Sequence, residues 1–211
     1  MSASSSPLSS VVSSRDQQRL PSAEFRPDYW QWSTFVGRIS EFSGVGASAI
    51  LTLACRLVHD AQCHAEPVAW ITRNTSCFFP PDVATNGIDV EALIVIHVAD
   101  SYAVARAADT LLRSGGFGLL VLDLGKDEQI PFPLQTRLAA LARTHSTAVL
   151  LLTQKLPMAS SLSSLVALRG EVQRQHIALD HFACALSVIK DKRWGPSWTH
   201  VEVAHGPAGL R

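Results

Sequence analysis

Short uninterrupted apolar runs recur along the chain, each separated from the next by a stretch in which apolar residues return every third or fourth position. Val68-Ala69-Trp70-Ile71, Leu93-Ile94-Val95-Ile96, Leu119-Leu120-Val121-Leu122 and Ala148-Val149-Leu150-Leu151-Leu152 are the clearest runs. A strand covered on both faces shows no polar alternation, so the pattern predicts a largely parallel sheet between layers of helix. Residues 37–43 read as a further short buried strand, followed by an apolar helix from Ile50 to His59. Asp100 or Ser101 caps a helix with apolar positions at Tyr102, Ala105, Ala108, Leu111 and Leu112, and Gly115-Gly116 closes it. Leu134, Leu138 and Leu141 step at helical spacing. Leu165, Leu168 and Val172, with Arg169 and Arg174, fit one face of an amphipathic helix that packs on the core or enters a partner's groove. Residues 185–190 and 200–204 alternate instead, which suggests antiparallel edge strands joined at Trp194-Gly195-Pro196.

Residues 1–24 are serine-rich and lack apolar periodicity, so they read as a disordered tail, with one domain over 25–211. Between them, Tyr29, Trp30 and Trp32 beside Pro27 read as aromatics that cover an open edge of the core, or else as a docking point. The 211 residues carry 18 basic and 18 acidic side chains, so no global field draws the chain to nucleic acid or anionic lipid. No apolar run reaches the roughly 18–20 residues that span a bilayer, and the N-terminus lacks the basic and apolar regions of a secretory signal. The expected location is cytoplasmic. Cys55, Cys63, Cys77 and Cys184 show no C-x-x-C spacing; Cys63-His64 with His59 lacks the second pair that zinc needs, so the cysteines read as plain thiols.

The loop after the short strand at 37–43, Gly44-Val45-Gly46-Ala47-Ser48, stands where a phosphate-binding loop belongs. Strand, glycine-bearing turn and helix give such a loop its amide cradle and its favourable helix N-terminus. The working form also needs Gly-Lys-Ser/Thr: the lysine meets the β- and γ-phosphates and the hydroxyl holds magnesium. Neither Gly44 nor Gly46 is followed by it. Ser48 is a weak substitute at best. No cofactor or metal is expected.

The order of these elements resembles the RecA-type recombinase core, from about Gly37 to Gly206. Residues 37–44 look like the strand into that family's phosphate loop, and Gly87-Ile88-Asp89 like the turn before its third strand. Leu119 to Asp123 is similar to the acidic strand whose aspartate orients magnesium. Thr153-Gln154-Lys155 falls at the family's γ-phosphate-sensing glutamine, and Val188-Ile189-Lys190-Asp191-Lys192 resembles its paired-lysine strand at the filament interface. The resemblance implies a RecA-like α/β core, mostly parallel with antiparallel edge strands at the C-terminal end and helices on its flanks. The departures are as informative. The lysine is missing, Asn74 stands in the place of the catalytic glutamate, and the expectation is a single domain without the family's separate C-terminal DNA-gathering domain. An amide takes no proton from water, and electrostatic stabilisation is the main catalytic contribution in phosphoryl transfer. The expectation is a pseudo-ATPase without catalytic residues.

Two further stretches, residues 106–119 and 163–169, are similar to ImuA, the SOS mutagenesis accessory group within the RecA-like superfamily. This implies an adaptor in mutagenic translesion synthesis, contacting RecA, an inactive Y-family polymerase homologue (ImuB) and an error-prone replicative-type polymerase near the nucleoid. The alternatives are a divergent DNA-dependent ATPase and a SulA-like inhibitor of cell division. Asp123 reads as a relic magnesium ligand or as a strand-end cap, and Gln154 as a relic sensor or a polar strand end. Lys190, Lys192, Arg193 and Trp194, beside Trp198, together with Arg169 and Arg174, are the candidates for partner contact. Weak single-stranded DNA contact through stacking on the tryptophans is the competing use.

Overall fold

The computed structural model describes residues 24–25, 30–74, 87–126, 129–156, 158–179 and 181–205. The tail before Glu24, and Pro27, Tyr29 and Cys77, lie outside them. In chain order the elements are β1 (Glu24–Phe25), α1 (Trp32–Phe35), β2 (Ile39–Ser43), α2 (Ile50–Cys63), β3 (Val68–Arg73) and β4 (Leu93–Val98). There follow α3 (Ser101–Ser114), β5 (Leu119–Gly125), α4 (Phe132–Thr144), β6 (Ala148–Thr153), β7 (Leu168–Ala178), β8 (His181–Asp191) and β9 (Trp198–His205).

All the described strands join one sheet in the order β1-β9-β8-β7-β2-β6-β5-β3-β4. From β4 to β7 every pairing is parallel; β8 and β9 then run antiparallel to their predecessors, and β1 lies parallel to β9. The apolar runs of β3, β5 and β6 are buried on both faces, as their patterning requires. By contrast β4, also an uninterrupted apolar run, is the edge strand and leaves Ile94 48% exposed. Within β5, Leu119 and Val121 face the cluster that holds α2, while Leu120 and Leu122 face the cluster that holds α3 and α4. Asp100 caps α3 by accepting from the Ala103 N–H at 2.7 Å, and Gly115 ends it in the left-handed region at φ 66°. Trp30 and Trp32 pack against the α2-side cluster: Trp30 stacks on His200 at 4.3 Å and on Phe42 at 5.9 Å. The aromatics therefore cover the core, as their sequence suggests.

One expected element is different. Residues 168–178 form β7, not an amphipathic helix. Leu168 and Val172 are buried by β2 and by β8, and a sheet position satisfies them as well as a helix stripe would. The two C-terminal strands thus gain a third partner that joins them to the parallel core. Among the described residues no helix is long and apolar enough to cross a membrane.

Candidate functional site

The chain leaves β2 for α2 on one face of the sheet and leaves β5 for α4 on the other. In open α/β sheets this divergence opens a crevice at the carboxyl ends of the strands. The cavity found here, of about 530 Å³, lies on the other side of β2, beside the Gly44–Ser48 loop, and is bounded by Ser43, Lys155, the outer half of β7 and Ala183 and Ala185 of β8.

Gly44 is buried against the neighbouring strand. A Cβ there would sit 2.7 Å from the Val172 carbonyl oxygen and 2.9 Å from the Ser48 Cβ, so only glycine lets β7 approach the loop. Gly46 is exposed at φ 62° with open space where a side chain would project. Ser48 is half-buried on the cavity wall, and Ala49 precedes α2 with no side-chain cap.

Lys155, after β6, reaches the cavity wall, but its ammonium pairs with Glu41 at 2.8 Å and donates to the Ser160 carbonyl at 3.0 Å. Glu41 is fully buried in β2 and also accepts from the Thr153 hydroxyl at 3.0 Å and the Leu162 N–H at 2.9 Å. A buried carboxylate needs such a shell. Together with a bond from the Met158 N–H to Glu171 at 2.8 Å, these contacts tie the segment between β6 and β7 onto the sheet.

Asp123, Gln154 and Asn74, singled out from the sequence, do not line the cavity. Asp123 is half-buried at the end of β5 and accepts from the Thr72 hydroxyl at 3.0 Å. Gln154 is exposed, and its N–H donates to the Gly125 carbonyl at 2.7 Å. Asn74 follows β3 in an exposed turn, its N–H bonded to the Val98 carbonyl at 2.9 Å.

The contact candidates divide. Arg169 is 1% exposed, with its guanidinium bonded to the Ala159 carbonyl and the Ser43 hydroxyl, so it serves the interior and is no surface contact. Trp198 is also buried and donates to Asp191 at 3.2 Å. Arg174 is exposed on β7, its guanidinium 4.8 Å from the Phe182 ring centroid. Lys190 is half-buried; burial, then Lys192, pulls its ammonium below the ordinary lysine range while Glu41 opposes the shift. Lys192 donates to the Ser164 carbonyl. Trp194 is 41% exposed between two cations, Arg38 at 5.3 Å and Arg193 at 5.4 Å. Lys190, Lys192, Arg193 and Trp194 therefore share one corner after β8, apart from the cavity.

Sequence reasoning missed Glu41, Lys155 and the buried Arg38–Asp191 pair at 2.9 Å. Burial lowers the Arg38 pKa from its ordinary value, and Asp191 counters this. The signal was present: a lone Glu41 within an otherwise uncharged buried strand demands a partner.

No family model matches the chain. RecA proteins do match part of it. It is 35% identical over 88 residues to Protein RecA of Nocardioides sp. and 32% identical over 87 residues to Protein RecA of Fusobacterium nucleatum. Each match covers 41% of this chain. The relationship is RecA-like. The matched regions amount to 25% and 23% of those relatives, so the chain spans about a quarter of the length of the curated relatives it matches.

Proposed function

We propose that this protein is a non-catalytic RecA-like adaptor in SOS-induced mutagenic translesion synthesis, working by protein contacts with RecA and an error-prone polymerase assembly. The reading rests on one observation: at the phosphate-loop position the chain supplies no lysine, and the lysine that borders the cavity, Lys155, is committed to Glu41. A triphosphate in that cavity would lack the cation that neutralises its terminal charge. Asn74 at the place of the general base points the same way. A scaffold of this shape that turns over no nucleotide acts by being bound. The corner formed by Lys190, Lys192, Arg193 and Trp194 is a surface suited to a neighbouring protein: it offers two exposed cations and a partly exposed ring.

Affinity purification of the tagged protein from DNA-damaged cells tests the reading. The expected recovery is RecA together with polymerase subunits, reduced by charge reversal at Lys192 and Arg193. Recovery of division proteins, with filamentous cells on overexpression, would replace it with the division-inhibitor reading.

A further inference from the structure

The cavity beside the Gly44–Ser48 loop has a second wall with its own chemistry. Six consecutive residues, Glu171 to His176, line it, with Ala183 and Ala185 across the hairpin. Consecutive strand residues point to opposite faces. A cavity that touches all six reaches both faces of β7 and so takes in its edge, while on the Gln173 and Gln175 side it extends over the hairpin to Ala185 and Ala183 of β8. That edge is open among the described residues: β2 pairs with β7 only from Leu168 to Glu171, whereas β8 pairs with the other edge as far as Ala178. Past Glu171 the free side meets Gly44 through the Val172 carbonyl and then borders the cavity. At about 3.3 Å per residue, the stretch from Val172 to Ala178 offers roughly 20 Å of unpaired backbone.

Charge selects the occupant. Of the charged lining residues, Lys155 is held by Glu41 at 2.8 Å, and Glu171 lies 3.9 Å from Arg169 and accepts from the Met158 N–H. Arg174 is exposed, rests on Phe182, and makes no ion pair among the described residues. His176 lies on the same ring, 5.4 Å away. Arg174 is thus the charged lining residue left without an ion pair among the described residues. We propose that the open edge of β7 takes up an extended acidic segment of a partner protein, which adds to the sheet as a strand beside the Gly44 loop and sets a carboxylate against Arg174. Main-chain bonds give such a contact its strength, and the paired charge fixes its register. The inference deepens the adaptor reading by naming a partner surface and its chemistry.

Fluorescence anisotropy of the full chain tests it with a labelled, N-acetylated hexapeptide alternating valine and glutamate. The valine–lysine counterpart and a backbone N-methylated acidic peptide serve as comparators. The acidic peptide alone is expected to bind saturably and to lose roughly tenfold in affinity on Arg174→Glu or Arg174→Gln. N-methylation, which removes donors but leaves the charge, should abolish binding. Amide exchange over 173–178 should slow when the acidic peptide is bound. Equal binding of the acidic and basic peptides, undiminished binding of the N-methylated one, or no binding would each overturn the proposal. None of these results affects recovery of RecA and polymerase subunits from damaged cells, so a failure here is separable from failure of the adaptor reading.

Discussion

Glu41 shows how one side chain sets the chemistry of the cavity. Its carboxylate is fully buried and holds Lys155, Thr153 and the Leu162 N–H at once. Removing one partner of a buried ion pair leaves the other charge uncompensated, which typically costs about 3–5 kcal/mol, whereas replacing both by apolar residues of similar size costs much less. Glu41→Gln is therefore expected to lower unfolding free energy in urea by about that amount, and the double change Glu41→Leu with Lys155→Met by clearly less. Cys55 makes a second statement at this scale. Burial raises its thiol pKa to about 11, so the folded state favours the protonated form. That contribution is complete below pH 9 and is lost as pH climbs towards 11, at no more than about 1.4 kcal/mol per pH unit. Urea unfolding at pH 8 and pH 10.5 should show a steeper loss for the wild type than for Cys55→Ala. In the same folded protein iodoacetamide at pH 8 should modify exposed Cys63 before buried Cys55 or Cys184.

Among the elements, β7 joins the parallel core to the antiparallel end of the sheet. Its contact with the loop depends on Gly44, where a methyl group would meet the Val172 carbonyl at 2.7 Å. Overpacking of this kind costs about 1–3 kcal/mol. Gly44→Ala should lower the melting temperature and speed amide exchange in residues 171–174 more than in α4. The parallel strands and the capped helix α3 were legible in the sequence because both-face burial and capping leave local marks. β7 was not. Its buried half needs Leu168 and Val172, which also fit helical spacing, while its outer half is polar on both faces and carries no period. Arg169 misled for a related reason: nothing local reveals that Ser43, Ala159 and Glu171 gather around its guanidinium. The strand, glycine turn and helix around Gly44 were legible, but the Glu41–Lys155 pair spans 114 positions of sequence, and only the parallel pairing of β2 with β6 brings it together.

At the scale of the whole molecule, the described strands form one nine-stranded sheet, 41% of the chain is similar to RecA proteins, and a cavity lies beside the Gly44–Ser48 loop. The central claim is that this cavity does not process nucleotide. On the proposed reading the Gly44–Ser48 loop has no lysine where a phosphate loop carries one, Lys155 on the cavity wall is paired with the buried Glu41, and Asn74 stands in the place of the base. Each loss removes electrostatic stabilisation that phosphoryl transfer requires, and a single missing donor already costs about 10²–10³-fold. The most direct test is release of labelled phosphate from Mg-ATP by the purified full chain, with and without single-stranded DNA, beside Ser48→Ala and Asp123→Asn. The account predicts background release in all cases, unchanged by DNA or by either substitution. DNA-stimulated turnover that disappears in those variants would contradict it.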